Sequence, residues 1–213
     1  MVCKNKKWKS EVEKKKKTQK VNTIKLIKKI DNYNIYLNED SKYMFYLSDK
    51  LISEENYEKL LHINTSKIES RMDNKTIYNR YEPTPYKALI KLFDEYKAGI
   101  EDHFVDFGSG KARFAFLVNF LFDSACTSVE ICEDFHKMAL TNKKNYRPRN
   151  PASKERLFFV NCPAEKYQVS GFENKFYFFN PFALSIFISV VNNIYRSVEE
   201  RPREVDIILY YPS

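Results

Sequence analysis

From residue 102 onward the chain alternates short, nearly continuous apolar segments with longer helical ones, and this pattern restricts the fold more than any other feature. HFVDF, TSVEI, RLFFVNC, KFYFFNPF and VDIILYYP are short and rich in β-branched and aromatic residues, as strands are. KARFAFLVNFLF, EDFHKMALTNKKN and SIFISVVNNIYRSVEE between them have helical length. Strands without polar alternation, separated by helices, form a parallel sheet covered on both faces. The expected class is therefore α/β, with a mainly parallel sheet in a three-layer sandwich.

Upstream, SEENYEKLLHI (53–63) starts with a capping serine and two glutamates, which predicts a short helix. TPYKALIKLFDEYKAG (84–99) predicts a longer one, with Thr84 as cap, Pro85 at the first helical position and Gly99 beyond the end. TIKLIKKI, NYNIYL and YMFYL within 23–50 read as a small β meander or hairpin. The net charge is +8, yet residues 1–30 hold twelve Lys against two Glu, and the rest of the chain has 24 basic and 26 acidic groups. The basic character thus belongs to an arm (1–22), a candidate for contact with nucleic acid or an anionic membrane surface, or simply a solvated tail. The four cysteines have no metal-ligand spacing and fit free thiols, so no metal and a cytoplasmic location are expected. No apolar run is long enough to span a membrane, so no membrane partner is expected.

Glycine is scarce, with four in 213 residues, and two of them stand in VDFGSGKAR, between the first strand of the alternation and its helix. Ligands of such sheets bind beyond the carboxyl ends of the strands. The GxxxxGK[ST] phosphate loop is absent, and in a GxGxxG dinucleotide turn the third glycine would fall on Arg113. A nucleoside carrying no phosphate is what remains. Glu130, ending the next strand 24 residues after Asp106, suits a ribose, because a carboxylate accepts from both hydroxyls. The plainer alternatives are Asp106 capping the turn and Glu130 sitting as an anion at a helix N-terminus.

Together, YEPTPY, VDFGSGKAR, VEICEDF, FYFFNPF and IILYYPS resemble class I S-adenosylmethionine-dependent methyltransferases, in particular a bacterial group without an assigned acceptor. The resemblance covers residues 51–213 and implies a Rossmann-like sandwich with S-adenosylmethionine as cofactor. It also implies site residues. Gly108, Ser109 and Gly110 would line the methionine part, and Asp106 would meet its amino group. Glu130, with Ile131 beside it, would hold the ribose. Cys162, Ala164 and Glu165 would flank the adenine. The family's pattern has a third glycine after the lysine, where this chain has Ala112.

FFNPF (178–182) resembles the Asn-Pro-Pro-aromatic motif of methyltransferases that act on planar amino groups. The resemblance gives Asn180, Pro181 and Phe182 catalytic roles, with Asn180 also touching the cofactor. An amide oxygen and a backbone carbonyl accept the two N–H protons, and a ring stacks on the acceptor. The alternative is a strand end at which Asn180 turns the chain, Pro181 stops the ladder and Phe182 fills core. Tyr81, Glu82 and Thr84, before the cofactor helix, are candidate substrate contacts. Lys111 and Arg113 would either face a substrate or be solvated. A full class I sheet continues beyond the fifth strand, so the resemblance implies missing last strands and an exposed apolar edge, open to a covering subunit. The expected function is methyl transfer to an unknown acceptor, a nitrogen of RNA or protein being favoured. The alternative is an inactive module of the same fold that binds RNA or a protein.

Overall fold

A computed structural model of the chain describes residues 25–27, 53–66 and 81–210. In chain order the elements are β1 (Lys25–Ile27), α1 (Glu54–Leu61), α2 (Tyr86–Glu95), β2 (His103–Phe107), α3 (Arg113–Phe122), β3 (Ala125–Glu130) and α4 (Glu133–Asn145). β4 (Leu157–Asn161), β5 (Lys175–Phe179), α5 (Leu184–Glu200) and β6 (Asp206–Tyr210) complete it. The strands form one sheet in the order β1-β6-β5-β2-β3-β4, and every pairing is parallel. From β2 the chain builds outward through β3 and β4, then crosses to the other side of β2 for β5 and β6. The architecture is Rossmann-like, and its strand order reverses between β2 and β5.

Period-two alternation divides the strands between two cores. Phe104, Leu157, Tyr177 and Ile208 face the layer made with α1 to α4. Val105, Phe107, Val129, Phe176 and Ile207 face α5, which answers with Ile186, Val190, Ile194 and Val198, spaced four apart on one helical face. α3 lies under the middle of the sheet, and eight of its ten residues are buried. Its near-continuous apolar run follows from that position. No helix among the described residues is long and apolar enough to cross a membrane.

Three local expectations change. Ser53 does cap α1, its hydroxyl accepting from the Asn56 N–H at 3.2 Å. Thr84, by contrast, does not cap α2, because its hydroxyl is bonded to that of Tyr177 at 2.7 Å and Pro85 takes the cap position instead. α2 ends at Glu95 with an extended Tyr96, short of Gly99. Finally, β6 is not left as an open edge for another subunit, because Lys25–Ile27 of the same chain pair with Asp206, Ile207 and Ile208. Those three residues belong to the main sheet rather than to a separate meander. The rest of the expected meander and the arm lie outside the described residues.

Candidate functional site

The reversal of strand order opens a crevice between the carboxyl ends of β2 and β5. A cavity of about 290 Å³ sits there, lined by the glycine turn, the end of β3, the end of β5 and residues 81–84. Of the residues singled out in the sequence, Asp106, Gly108, Ser109, Gly110, Glu130 and Ile131 line it. So do Cys162, Ala164, Asn180, Pro181, Phe182, Tyr81, Glu82 and Thr84. Glu165 does not. A single 3₁₀ turn (Ala164–Lys166) carries it away, into a separate groove with Asn193 and Arg196. The structure thus places Glu165 outside the cavity that the other candidates share.

The glycines serve the turn itself. Gly108 and Gly110 have φ of 77° and 54°, the left-handed region where a Cβ is costly. A Cβ on Gly108 would also collide with the Pro181 ring, and one on Gly110 with the Tyr81 ring. The side-chain space at both positions is therefore filled by protein, not left for a ligand. The turn is bonded to β3 through the N–H groups of Gly108 and Ser109, which donate to the Val129 carbonyl at 2.9 and 3.1 Å. Ala112 has φ of 68°, so the family's third glycine has a conformational reason. Its methyl is fully buried in the core and does not reach the cavity.

Glu130 is buried and oriented by backbone. One carboxylate oxygen accepts from the Gly110 N–H at 2.8 Å, the other from the Cys132 N–H at 2.7 Å. It thus couples the glycine turn to the start of α4. Asp106 is 5% exposed, and no described residue donates a hydrogen bond to its carboxyl. Burial, reinforced by the neighbouring Glu130 charge, pushes its pKa up to about 8. The Ser109 hydroxyl is also buried, with no partner. A carboxyl at the end of β2 and a hydroxyl on the turn that follows it thus accept no hydrogen bond from a described residue, where buried polar groups normally have a partner.

Arg113 and Lys111 are both buried rather than solvated, and Arg113 also lines the cavity. Arg113 is buried among five partners. Its guanidinium donates to Thr65 Oγ1 (2.7 Å), the Thr84 carbonyl (3.0 Å), Ser66 Oγ (2.9 Å), Glu58 (3.4 Å) and Glu54. It also stacks over the Tyr86 ring at 4.3 Å. Tyr81 adds a bond from its hydroxyl to the Thr65 carbonyl at 2.6 Å. These contacts hold α1, residues 65–66 and residues 81–84 against the cavity. Lys111 lies with its ammonium 5.0 Å from the Tyr81 ring centre.

Sequence reasoning missed Tyr177, Phe114 and Phe135 as lining residues. Tyr177 was within reach, because it pairs with Asp106 in the β2–β5 register and so faces the same way. It stacks on Phe114 at 4.0 Å and forms the cavity floor with it. Phe182 both lines the cavity and packs edge-on against Phe178, 6.2 Å away, so much of its ring is core.

No protein-family model and no curated protein matches the chain. Among solved structures it is similar to an RNA methyltransferase from Salinibacter ruber in complex with S-adenosyl-L-homocysteine, at 18% identity and a TM-score of 0.44, covering 56% of this chain and 71% of that one. It is also similar to the human methyltransferase 10 domain containing protein, at 14% identity and a TM-score of 0.37, covering 52% of each chain. A third is the geranyl diphosphate C-methyltransferase from Streptomyces coelicolor A3(2), at 14% identity and a TM-score of 0.39, covering 45% of this chain and 34% of that one. The chain thus spans about half of the human protein and a third of the Streptomyces enzyme.

Proposed function

We propose that this cavity binds S-adenosylmethionine and that the chain transfers the methyl group to an acceptor nitrogen. The observation that carries the reading is the Asp106 carboxyl at the end of β2, which accepts no hydrogen bond from a described residue, beside the partnerless Ser109 hydroxyl on the glycine turn and in one cavity with Glu130. An amino-acid moiety needs an acid for its ammonium and a donor for its carboxylate, and Asp106 and Ser109 supply one each. A ribose needs a carboxylate beside it, which Glu130 supplies from a fixed orientation. A pyrophosphate would instead meet two acidic side chains, so a dinucleotide fits poorly.

Asp106, Ser109 and Glu130 would hold S-adenosylmethionine there, and the group would supply an electrophilic methyl on a sulfonium sulfur. The chain's own residues would aim the acceptor. Asn180 turns the chain out of β5 with φ of 35°, a conformation asparagine tolerates better than most residues. Its side-chain oxygen and the Pro181 carbonyl would accept the acceptor's N–H protons and so direct the lone pair. Phe182 and Tyr81 would bound the acceptor. No strong base is needed, because alignment carries the rate.

Asn180→Ala separates binding from chemistry. Its affinity for S-adenosylhomocysteine should stay within about threefold of the parent, with labelled-methyl transfer to RNA or protein fractions lost. Equal loss of both would make Asn180 structural. The inactive-module reading loses its main sequence support, since Ala112 stands in the glycine conformation without touching the cavity.

A further inference from the structure

Beyond residue 30 the chain is slightly acidic, yet one stretch reverses this. Residues 143–156 hold Lys143, Lys144, Arg147, Arg149, Lys154 and Arg156 against Glu155 alone. They form the last turn of α4, a proline-flanked loop and the 3₁₀ turn Pro151–Arg156. Lys144, Arg147 and Arg149 are exposed and the other three half-buried. None of the six is in an ion pair among the described residues.

Part of this charge has a structural use. Lys154 donates to the carbonyls of Lys144 and Tyr146 at 3.1 Å each, and Lys143 to that of Leu157 at 2.8 Å. Arg149 and Arg156 likewise donate to the Leu121 and Ile100 carbonyls. Cations at a helix C-terminus also suit its dipole. Carbonyl capping, however, does not require six like charges in fourteen residues, and Lys144 and Arg147 cap nothing. The cluster opposes itself, for Arg147 and Lys143 add to burial in holding the Lys154 pKa down.

We propose that this basic island docks the phosphate backbone of a nucleic acid. Charge complementarity selects a polyanion, and the forked guanidiniums of Arg147 and Arg149 suit phosphate oxygens. Asn145 and Asn150, both exposed between the cations, add neutral donors to the same surface. A membrane surface fits less well, because residues 143–156 expose no large apolar side chain to insert. The island stands at the far end of α4 from the cavity, about 20 Å along a helix of this length. The surface therefore anchors a long ligand rather than reading the group at the cavity. The inference is independent of the methyl-donor reading and of residues 1–22.

Fluorescence anisotropy of the full chain with labelled 20-nucleotide RNA and DNA, as a function of salt, tests it. Lys144→Glu with Arg147→Glu should weaken binding at least tenfold at 100 mM salt and lower the salt slope by between one and two, the share of two phosphate contacts. Lys14→Glu with Lys15→Glu removes the same net charge from the arm and should cost distinctly less. If the glutamate pair does not fold, Lys144→Gln with Arg147→Gln repeats the test at lower cost. Comparing RNA with DNA identifies the backbone that is bound. Equal loss from arm and island, an unchanged slope, or tighter binding to phosphatidylserine vesicles than to either oligonucleotide would overturn the proposal.

Discussion

At the scale of single residues, Asp106 makes the sharpest prediction. With a pKa near 8 its carboxyl is mostly protonated at neutral pH. A ligand ammonium would favour the ionised form, so binding would release that proton. Affinity for S-adenosylhomocysteine should therefore rise about tenfold per unit from pH 6 to pH 8 and level off above. Asp106→Asn should bind more weakly and without that slope, which calorimetry in buffers of different ionisation enthalpy would read as no proton release. Stability has the matching sign. A carboxyl raised from about 4 to about 8 on folding contributes stability that is full below the lower value and is lost as pH rises through the upper one. Asp106→Asn should thus gain in relative stability at pH 9 over pH 5, as thermal melts would show. Gly108 behaves differently. Gly108→Ala combines a positive φ with the Pro181 collision and should cost at least about 2 kcal/mol in denaturant unfolding.

At the scale of elements, the strands were legible because parallel strands buried on both faces are apolar throughout, and β2 to β6 fall where those runs lie. The site residues at strand ends, Asp106, Glu130 and Asn180, were legible for the same reason, since a chain turning out of such a sheet marks the ligand crevice. What lay hidden depends on long-range contacts. Arg113 bonds to residues 29 to 59 positions away, and nothing local in GKARF distinguishes that from an exposed arginine. Glu165 lies outside the cavity for a local reason that the sequence does not display, a single 3₁₀ turn over Ala164–Lys166. The Arg113 contacts fasten α1 and residues 81–84 over the cavity, and its burial makes loss of the cation costly. Arg113→Met should lower stability by roughly 3–5 kcal/mol, since it leaves the buried Glu58 charge without its cation and the Thr84 carbonyl without its donor. Arg113→Lys should recover little of that, having one point charge where five donors are used. A loss under about 1 kcal/mol for either would show that the network is not holding the elements together.

At the scale of the whole molecule, a doubly wound sheet presents its ligand crevice where strand order reverses, and there the chain places the Asp106 carboxyl, the partnerless Ser109 hydroxyl and Glu130 together. The two cores lie on either side of the sheet, and the crevice at its carboxyl end is defined by the groups that line it. Acids and a hydroxyl line the glycine turn, and aromatic rings bound the end of β5. The central claim is that this turn holds a methyl donor. Calorimetric titration of the full chain with S-adenosylhomocysteine, with NAD as control ligand, tests it most directly. Micromolar binding of the first, no heat from the second, and a sharp loss on Glu130→Gln is the predicted result. A folded chain that binds NAD, or neither ligand, would contradict it.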